Sequence, residues 1–252
     1  MPGMKIGLIG AGNMARAMAR GWGQPVICAD PVIERAQQLA QETGGQALSS
    51  NAEVAAQADL VVLCHKPAQL LEVATEVAPA AKAVASILAA TSLASVKDAY
   101  PGRPVYRFIP SLPVEVRQGA VVQAADASQA PSLDREVHDL FAQLGSIVTV
   151  EDRLLDVAMG LMSCAPAYVA LIAEAQIDAG VRHGLRADQA AGLVVQTLAG
   201  TAELLRVREY DTLAVRREVT SPGGVTARGL AALERAGLRS AFDDALDAVL
   251  GG

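Results

Sequence analysis

The sequence predicts an α/β protein in which an N-terminal Rossmann-type doubly wound sheet is followed by an all-helical C-terminal domain. Three observations predict it. From Met4 to about Val150, short apolar runs alternate with amphipathic helical stretches, the pattern of consecutive β-α units. The first of those runs is followed at once by a glycine-rich turn and a helix start. After Glu151-Asp152 no strand-like run returns, and helical patterns fill the remainder. The domain boundary is therefore read at 152, with a sheet domain over 1–152 and a helical domain over 153–252.

In chain order, Ile6 to Ile9 reads as a buried strand, followed by a helical pattern through Arg20. Gln24 to Ala29 reads as the second strand, and Pro31 to Thr43 as a helix stopped by Gly44-Gly45. Asp59 to Cys64 is almost continuously apolar, as expected of a parallel strand covered on both faces. Lys66-Pro67 breaks that run, and a helix from Ala68 to Val77 stops at Pro79. Further strands are expected over 83–88, 104–109, 119–124 and 146–150, with a helix from Leu133 to Leu144 before the last. The C-terminal helices are expected at 166–183, 187–207, 212–219, 226–236 and 239–250, with Pro166 suited to a first turn.

Composition narrows the class. A net charge of −6 argues against a nucleic-acid footprint. No run of about 18 apolar residues is read, so no membrane span is expected. The chain leads directly into a strand without a secretory signal, so a cytoplasmic globular protein is expected. Cys28 and Cys64 lie in apolar strands, where buried thiols are the ordinary reading. Three histidines without His/Cys pairs at ligand spacing give no metal site.

The glycine turn, Gly10-Ala11-Gly12-Asn13-Met14-Ala15, carries the first functional reading. Gly10 makes the tight turn, Gly12 lets the backbone approach a pyrophosphate, and Ala15 keeps the helix close to the strand. The helix start at Asn13 and Met14 presents unpaired N–H groups to the phosphates. Asp30, closing the second strand 18 residues after Gly12, is placed to accept the adenosine ribose hydroxyls and to repel a 2′-phosphate. Asp30-Pro31 reads equally as an N-cap and first-turn pair for the next helix. The nearest following cation, Arg35, is not an evident phosphate clamp. The cofactor expected is NAD(P)H, with the lean toward NADH.

Further motifs run in order along the chain: Lys66-Pro67, Ser86-Ile87, Arg107-Phe108-Ile109-Pro110-Ser111-Leu112-Pro113, Pro166-Ala167-Tyr168, Glu174 with Asp178, and Ser221-Pro222-Gly223-Gly224-Val225-Thr226. With the glycine turn they make the chain, from Met4 to about Leu246, resemble the pyrroline-5-carboxylate reductase family, whose members reduce a cyclic imine to proline. The resemblance implies NAD(P)H-dependent hydride transfer to the C=N bond of 1-pyrroline-5-carboxylate. It implies a substrate carboxylate held by Ser221, Gly223, Gly224 and Val225, Thr226 as the hydroxyl near the imine nitrogen, and Glu174 on the helix face approaching the substrate amine. Lys66, with Pro67, would contact the cofactor or simply cap the strand end, and Tyr168 would pack. Beyond the small-molecule substrate, the partner expected is a second copy of the chain, pairing as a homodimer through the C-terminal helices or in a higher oligomer.

The pocket loops depart from the family pattern. Its Val-Lys-Pro is His65-Lys66-Pro67 here, and its Ala-Ala-Gly turn is Leu88-Ala89-Ala90. Its Met-Pro-Asn-Thr-Pro is Ile109-Pro110-Ser111-Leu112-Pro113, and its Ser-Gly-Ser-Gly-Pro is Met162-Ser163-Cys164-Ala165-Pro166. His65 is titratable beside the nicotinamide region, either as a proton donor or as a buried, hydrogen-bonded histidine. Two other readings stand beside proline formation: reduction of a related imine or keto substrate, and dinucleotide binding without turnover in a regulatory protein.

Overall fold

The computed structural model describes residues 3–127 and 130–251, divided between two compact units, 1–166 and 167–252. The first unit is built on eight strands: β1 (Ile6–Ile9), β2 (Ile27–Ala29), β3 (Gln46–Ala47), β4 (Leu60–Leu63), β5 (Val84–Ser86), β6 (Val105–Pro110), β7 (Gly119–Ala124) and β8 (Gly145–Val150). They form one sheet in the order β3-β2-β1-β4-β5-β6-β7-β8. All pairings are parallel except β6 with β7, which a tight 3-10 turn over Leu112–Val116 joins as antiparallel neighbours. The strand order reverses direction at β1, between β2 and β4, so a crevice opens there beyond the carboxyl ends of the strands.

Helices cover both faces. On one lie α1 (Asn13–Trp22), α2 (Ile33–Thr43) and α6 (Pro131–Ala142), contributing Met18, Leu39 and Phe141 to a core with Leu8 and Val62. On the other lie α3 (Asn51–Gln57), α4 (Leu70–Val77), α5 (Leu93–Ala99) and α7 (Leu155–Met162), contributing Val54, Val73, Val96 and Leu155 to a core with Ile9 and Val61. Alternate residues of β4 thus enter opposite cores, which is why its sequence is apolar at every position. Each of Leu60, Val61, Val62 and Leu63 is fully buried, worth roughly 1.5–3 kcal/mol apiece. Phe108 stacks on Phe141 at 3.9 Å, and Trp22 meets Phe141 edge-on while donating its indole N–H to the Leu140 carbonyl.

Several elements differ from the sequence reading. β2 begins at Ile27 rather than Gln24, and α2 at Ile33 rather than Pro31. β3, α3, α5 and α7 were not expected from the pattern. β3 has two residues, while α3 and α5 have seven each, too short for a helical period to declare itself. The change to all-helical chain falls at 152, but the first compact unit runs on to Pro166 because α7 packs Leu155, Met159 and Met162 against the sheet core.

One further correction concerns hydropathy. Residues 152–182 are long and apolar enough to cross a bilayer by composition, with a mean hydropathy of 1.7 over 18 residues, whereas the sequence reading found no such run. The stretch is not one helix. It breaks at Ser163-Cys164, with α7 on the sheet and α8 (Ala165–Arg182) beyond the break.

The second unit holds most of α8, then α9 (Ala187–Val207), α10 (Thr212–Glu218), α11 (Val225–Arg235) and α12 (Leu238–Leu250). Among its described residues only Ala190 and Val215 are buried. Leu171, Leu193 and Val195 are each 58–65% exposed, so these helices leave a large apolar surface uncovered within one chain.

Candidate functional site

A cleft of about 690 Å³ lies in the first unit, at the crevice where β1 separates β2 from β4. Gly10 and Gly12 form its floor. Gly10 has φ +101°, and a Cβ there would lie 2.9 Å from the Cys64 carbonyl oxygen, so only glycine fits between the loop and the end of β4. Gly12 is different. Its backbone is extended, and a Cβ there would meet no protein atom within 4 Å. The protein itself gives no reason for a bare backbone at Gly12; a ligand lying close on it does.

Gly12 is the N-cap of α1 and carries no side chain to cap it. The first intrahelical bond runs from Arg16 N–H to the Gly12 carbonyl at 3.0 Å, so the N–H groups of Asn13, Met14 and Ala15 precede it. No acidic residue occupies the first turn. An uncapped helix end with positive partial charge, opening onto a cleft, suits a pyrophosphate. Ala15 is 1% exposed and holds α1 tight on the sheet. Met14 lines the cleft, while Asn13 is exposed outside its lining.

Asp30 lines the cleft but does not cap α2; the N-cap is Val32. Its two oxygens accept different backbone N–H groups, Ala11 at 2.7 Å and Val32 at 2.8 Å. The cap reading fails because Asp30 folds back onto the glycine loop, and Pro31 stays outside the helix. Arg35 also lines this end of the cleft, together with Asn51, Glu72 and Glu76 from α3 and α4. The Asn51 amide donates to Glu76 at 3.0 Å. These four were not singled out as site residues: Asn51 opens a helix too short to read, and Glu72 and Glu76 look like an ordinary solvated face.

The middle of the cleft is made by the segment after β4. Lys66 and Pro67 line it at the start of a 3-10 turn, and the Lys66 ammonium has no ion pair among the described residues. His65 lies beside Gly10. Its Nδ1 is 2.9 Å from the Lys66 carbonyl, which makes Nδ1 the protonated nitrogen and leaves Nε2 a bare acceptor. Nε2 is covered and has no partner among the described residues. Burial holds the imidazole below the usual histidine range, against the weaker opposing pull of the Lys66 carbonyl. A neutral ring with a covered Nε2 is the buried-histidine alternative, and it is poorly placed to donate a proton. Cys64 is half-buried at the same edge of the cleft, and burial pushes its thiol well above the usual range. Cys28 is fully buried, donates to the Ala36 carbonyl, and is pushed up to about 11, chiefly by burial.

The far end, beyond β5 and β6, is apolar: Ile87, Leu88, Ile109, Pro110 and Met159 line it with Ser163. Ser111, where the family pattern has asparagine, faces away from chemistry. Its buried hydroxyl accepts the Ala120 N–H at 2.9 Å and fixes the turn into β7.

In the second unit, Ser221 to Gly224 makes the turn that opens α11. Gly223 has φ +68°, and Gly224 is the N-cap with no side-chain cap. The first intrahelical bond is Arg228 N–H to Gly224, so the Val225 and Thr226 N–H groups precede it. Thr226 is the second helical residue, and its hydroxyl caps nothing among the described residues. A threonine serving only as a helix cap would place that hydroxyl on the helix backbone. Glu174 and Asp178 are both exposed on α8 without ion pairs among the described residues, and Tyr168 is half-buried.

Comparison with known proteins matches this architecture end to end. Residues 152–251 match the family model described as pyrroline-5-carboxylate reductase dimerisation, and residues 5–90 match that described as NADP oxidoreductase, coenzyme F420-dependent. The pyrroline-5-carboxylate reductase of Synechocystis sp. is 34% identical over 97% of this chain and 95% of its own length. That of Pseudomonas aeruginosa is 33% identical over 97% and 93%. Among solved structures, the Plasmodium falciparum pyrroline carboxylate reductase with NADP bound superposes with a TM-score of 0.88 at 26% identity, covering 99% of this chain and 96% of that one.

Proposed function

We propose that this chain, which belongs to the pyrroline-5-carboxylate reductase family, reduces 1-pyrroline-5-carboxylate to L-proline at the expense of NAD(P)H. The observation that carries the reading is the opening of α11. There Val225 and Thr226 N–H groups precede the helix hydrogen bonds, and among the described residues no side chain caps them and the Thr226 hydroxyl has no partner. Such a turn suits a small carboxylate beside a group that can hydrogen-bond an imine nitrogen.

When bound, the dihydronicotinamide supplies a hydride to the imine carbon, and the nitrogen takes a proton from solvent, leaving the oxidised cofactor and the secondary amine. The chain's residues position the reactants. Gly12 and the α1 N-terminus hold the pyrophosphate, and Asp30 takes the adenosine ribose hydroxyls. The Ser221–Val225 backbone holds the substrate carboxylate, and Thr226 orients the imine nitrogen. Glu174 contributes negative charge toward the developing ammonium. Holding both reactants in register is where the rate gain arises, because a cyclic iminium is already electrophilic.

NADH is the preferred cofactor in this reading, since a carboxylate closing β2 and lining the cleft, as Asp30 does, would repel a 2′-phosphate. The active form is a homodimer, or a multiple of it, paired through the exposed apolar helices of the second unit. Unpaired Cys28, Cys64 and Cys164 suit a cytoplasmic setting.

The test is loss of reduced-nicotinamide absorbance with pyrroline-5-carboxylate as sole acceptor. Turnover that falls at least a hundredfold in Thr226→Ala with unchanged NADH affinity supports the reading. Tight NADH binding with no turnover on any cyclic imine would instead identify a binding protein.

A further inference from the structure

Among the described residues, the apolar end of the cleft is lined by one hydroxyl. Ser163, at the end of α7, is half-buried there, facing a wall formed by Ile87, Ile109, Pro110 and Met159. Its hydroxyl donates to the Pro110 carbonyl at 3.3 Å. A serine hydroxyl has one proton and two lone pairs, so with its proton committed Ser163 can offer the cleft only an acceptor. Pro110 has no N–H to offer beside it.

The direction of the cleft says which part of a dinucleotide reaches this end. Asp30 marks the adenosine side and the Gly10–Gly12 loop the pyrophosphate, so the nicotinamide arm extends toward β5, β6 and α7. A nicotinamide brings one strong donor to an apolar wall, the amino group of its carboxamide. The complement to an isolated acceptor is a donor, and an unmatched polar group buried there would cost free energy.

We infer that Ser163 is a positioning residue that accepts a hydrogen bond from the nicotinamide carboxamide amino group and thereby fixes which face of the ring is presented to the imine. Rotation of the ring by half a turn about its glycosidic bond exchanges the two faces, and anchoring the carboxamide removes that freedom. The inference rests on the cofactor reading above. The bond to Pro110 also has a structural effect, because it ties the end of α7 to the end of β6, so the test must separate the two roles.

The test compares affinity for NADH with that for its reduced 3-acetylpyridine analogue, in which a methyl group replaces the carboxamide amino group. It uses the full chain, as wild type, Ser163→Ala and Ser163→Thr. The wild type is expected to prefer NADH by about fivefold, the worth of one neutral hydrogen bond. Ser163→Ala is expected to bind both alike, and Ser163→Thr to keep the preference. A preference retained in Ser163→Ala overturns the inference, including the case where that variant weakens both ligands equally, which a purely structural role predicts. A wild type that binds neither dinucleotide overturns the cofactor reading and this inference together.

Discussion

Oδ2 of Asp30 accepts the Ala11 N–H at 2.7 Å, so the residue that closes β2 also holds the glycine loop in place. Oδ1 is held by Val32 N–H at 2.8 Å, and each carboxylate oxygen keeps a lone pair for a ribose hydroxyl. Loop geometry and the proposed cofactor choice therefore meet in one side chain. Asp30→Ala leaves the Ala11 N–H without its partner and removes the charge proposed to face the ribose. NADH affinity is expected to fall about tenfold, at 1.5–3 kcal/mol for a charged hydrogen bond less relaxation of the loop. NADPH affinity is expected to fall less, because repulsion of its 2′-phosphate is lost as well. Titration of both cofactors by nicotinamide fluorescence reads the ratio. An unchanged ratio would show that Asp30 braces the loop without selecting the cofactor.

Arg35 supplies the opposing half of that experiment. It lines the same end of the cleft five residues further on, a proximity that sequence separation alone did not reveal. Arg35→Ala is expected to weaken NADPH several-fold while leaving NADH within twofold, as for loss of one partly solvated charge pair. Equal weakening of both cofactors would argue that Arg35 acts on the shared part of the dinucleotide.

Ala90 has φ +50°. Its place is the third position of the Leu88-Ala89-Ala90 turn, where the family pattern carries glycine. A non-glycine residue in the left-handed region costs about 1 kcal/mol. Ala90→Gly relieves that strain, partly offset by the greater freedom of glycine in the unfolded chain. A net gain of up to about 1 kcal/mol is expected in denaturant unfolding, with no change in cofactor affinity. A loss of stability would mean that the alanine methyl makes contacts that outweigh the strain.

His65 makes a pH-dependent contribution whose sign follows from its environment. Burial lowers its pKa in the fold, so below the unfolded value of about 6.5 the unfolded chain binds the extra proton more readily. Stability is therefore unaffected by this group above that pH and declines as pH falls through and below it. His65→Val is expected to flatten the acid limb of the stability profile and, by removing a covered acceptor, to cost little or nothing at neutral pH. The pH profile of kcat should be unchanged. A kcat profile that loses a titration in the valine variant would restore the proton-donor role.

Which parts of this molecule were legible in its sequence follows a physical rule. β1, β4 and the glycine loop declare themselves because residues adjacent in sequence are adjacent in the fold: apolar Leu60 to Leu63 fill both faces of the sheet, and Gly10 must turn at once. β3 and α3 could not be read, since two or seven residues show no period and tertiary contacts decide them. The same limit hid the Asp30 end of the cleft. Arg35, Asn51 and Glu76 come from separate elements, and only the packing of α3 against α4 makes Asn51 and Glu76 partners. For Asp30 the cap rule and the cofactor rule chose the same residue, and neither foresaw that its carboxylate would be tied to a backbone N–H 19 positions upstream. The antiparallel β6–β7 pairing likewise depends on the Leu112–Val116 turn, which apolar alternation does not encode.

Of the substitutions proposed, Arg107→Met carries the largest expected effect on stability. The Arg107 side chain is 2% exposed, bonds Asp152 at 2.7 Å and reaches Asp156 at 3.3 Å. The other Asp152 oxygen accepts the Leu93 N–H at 2.9 Å, so one carboxylate joins β6 to the starts of α5 and α7. Arg107→Met keeps much of the volume and removes the charge, leaving two carboxylates facing an apolar wall. The penalty for breaking such a pair is 3–5 kcal/mol when both groups are deeply buried. Asp152 and Asp156 are 28% and 46% exposed, and water will recover part of it, so about 2–3 kcal/mol is expected. At roughly 2–4 °C per kcal/mol for a chain of this size, Tm should fall by about 4–12 °C. Asp152→Asn should cost less, since its amide oxygen still accepts from Leu93 while its charge is lost. If Arg107→Met instead unfolds at the wild-type temperature, the attraction in this cluster only balances its desolvation, and α7 is held by apolar packing that includes Leu155, Met159 and Met162 and by the Ser163–Pro110 bond.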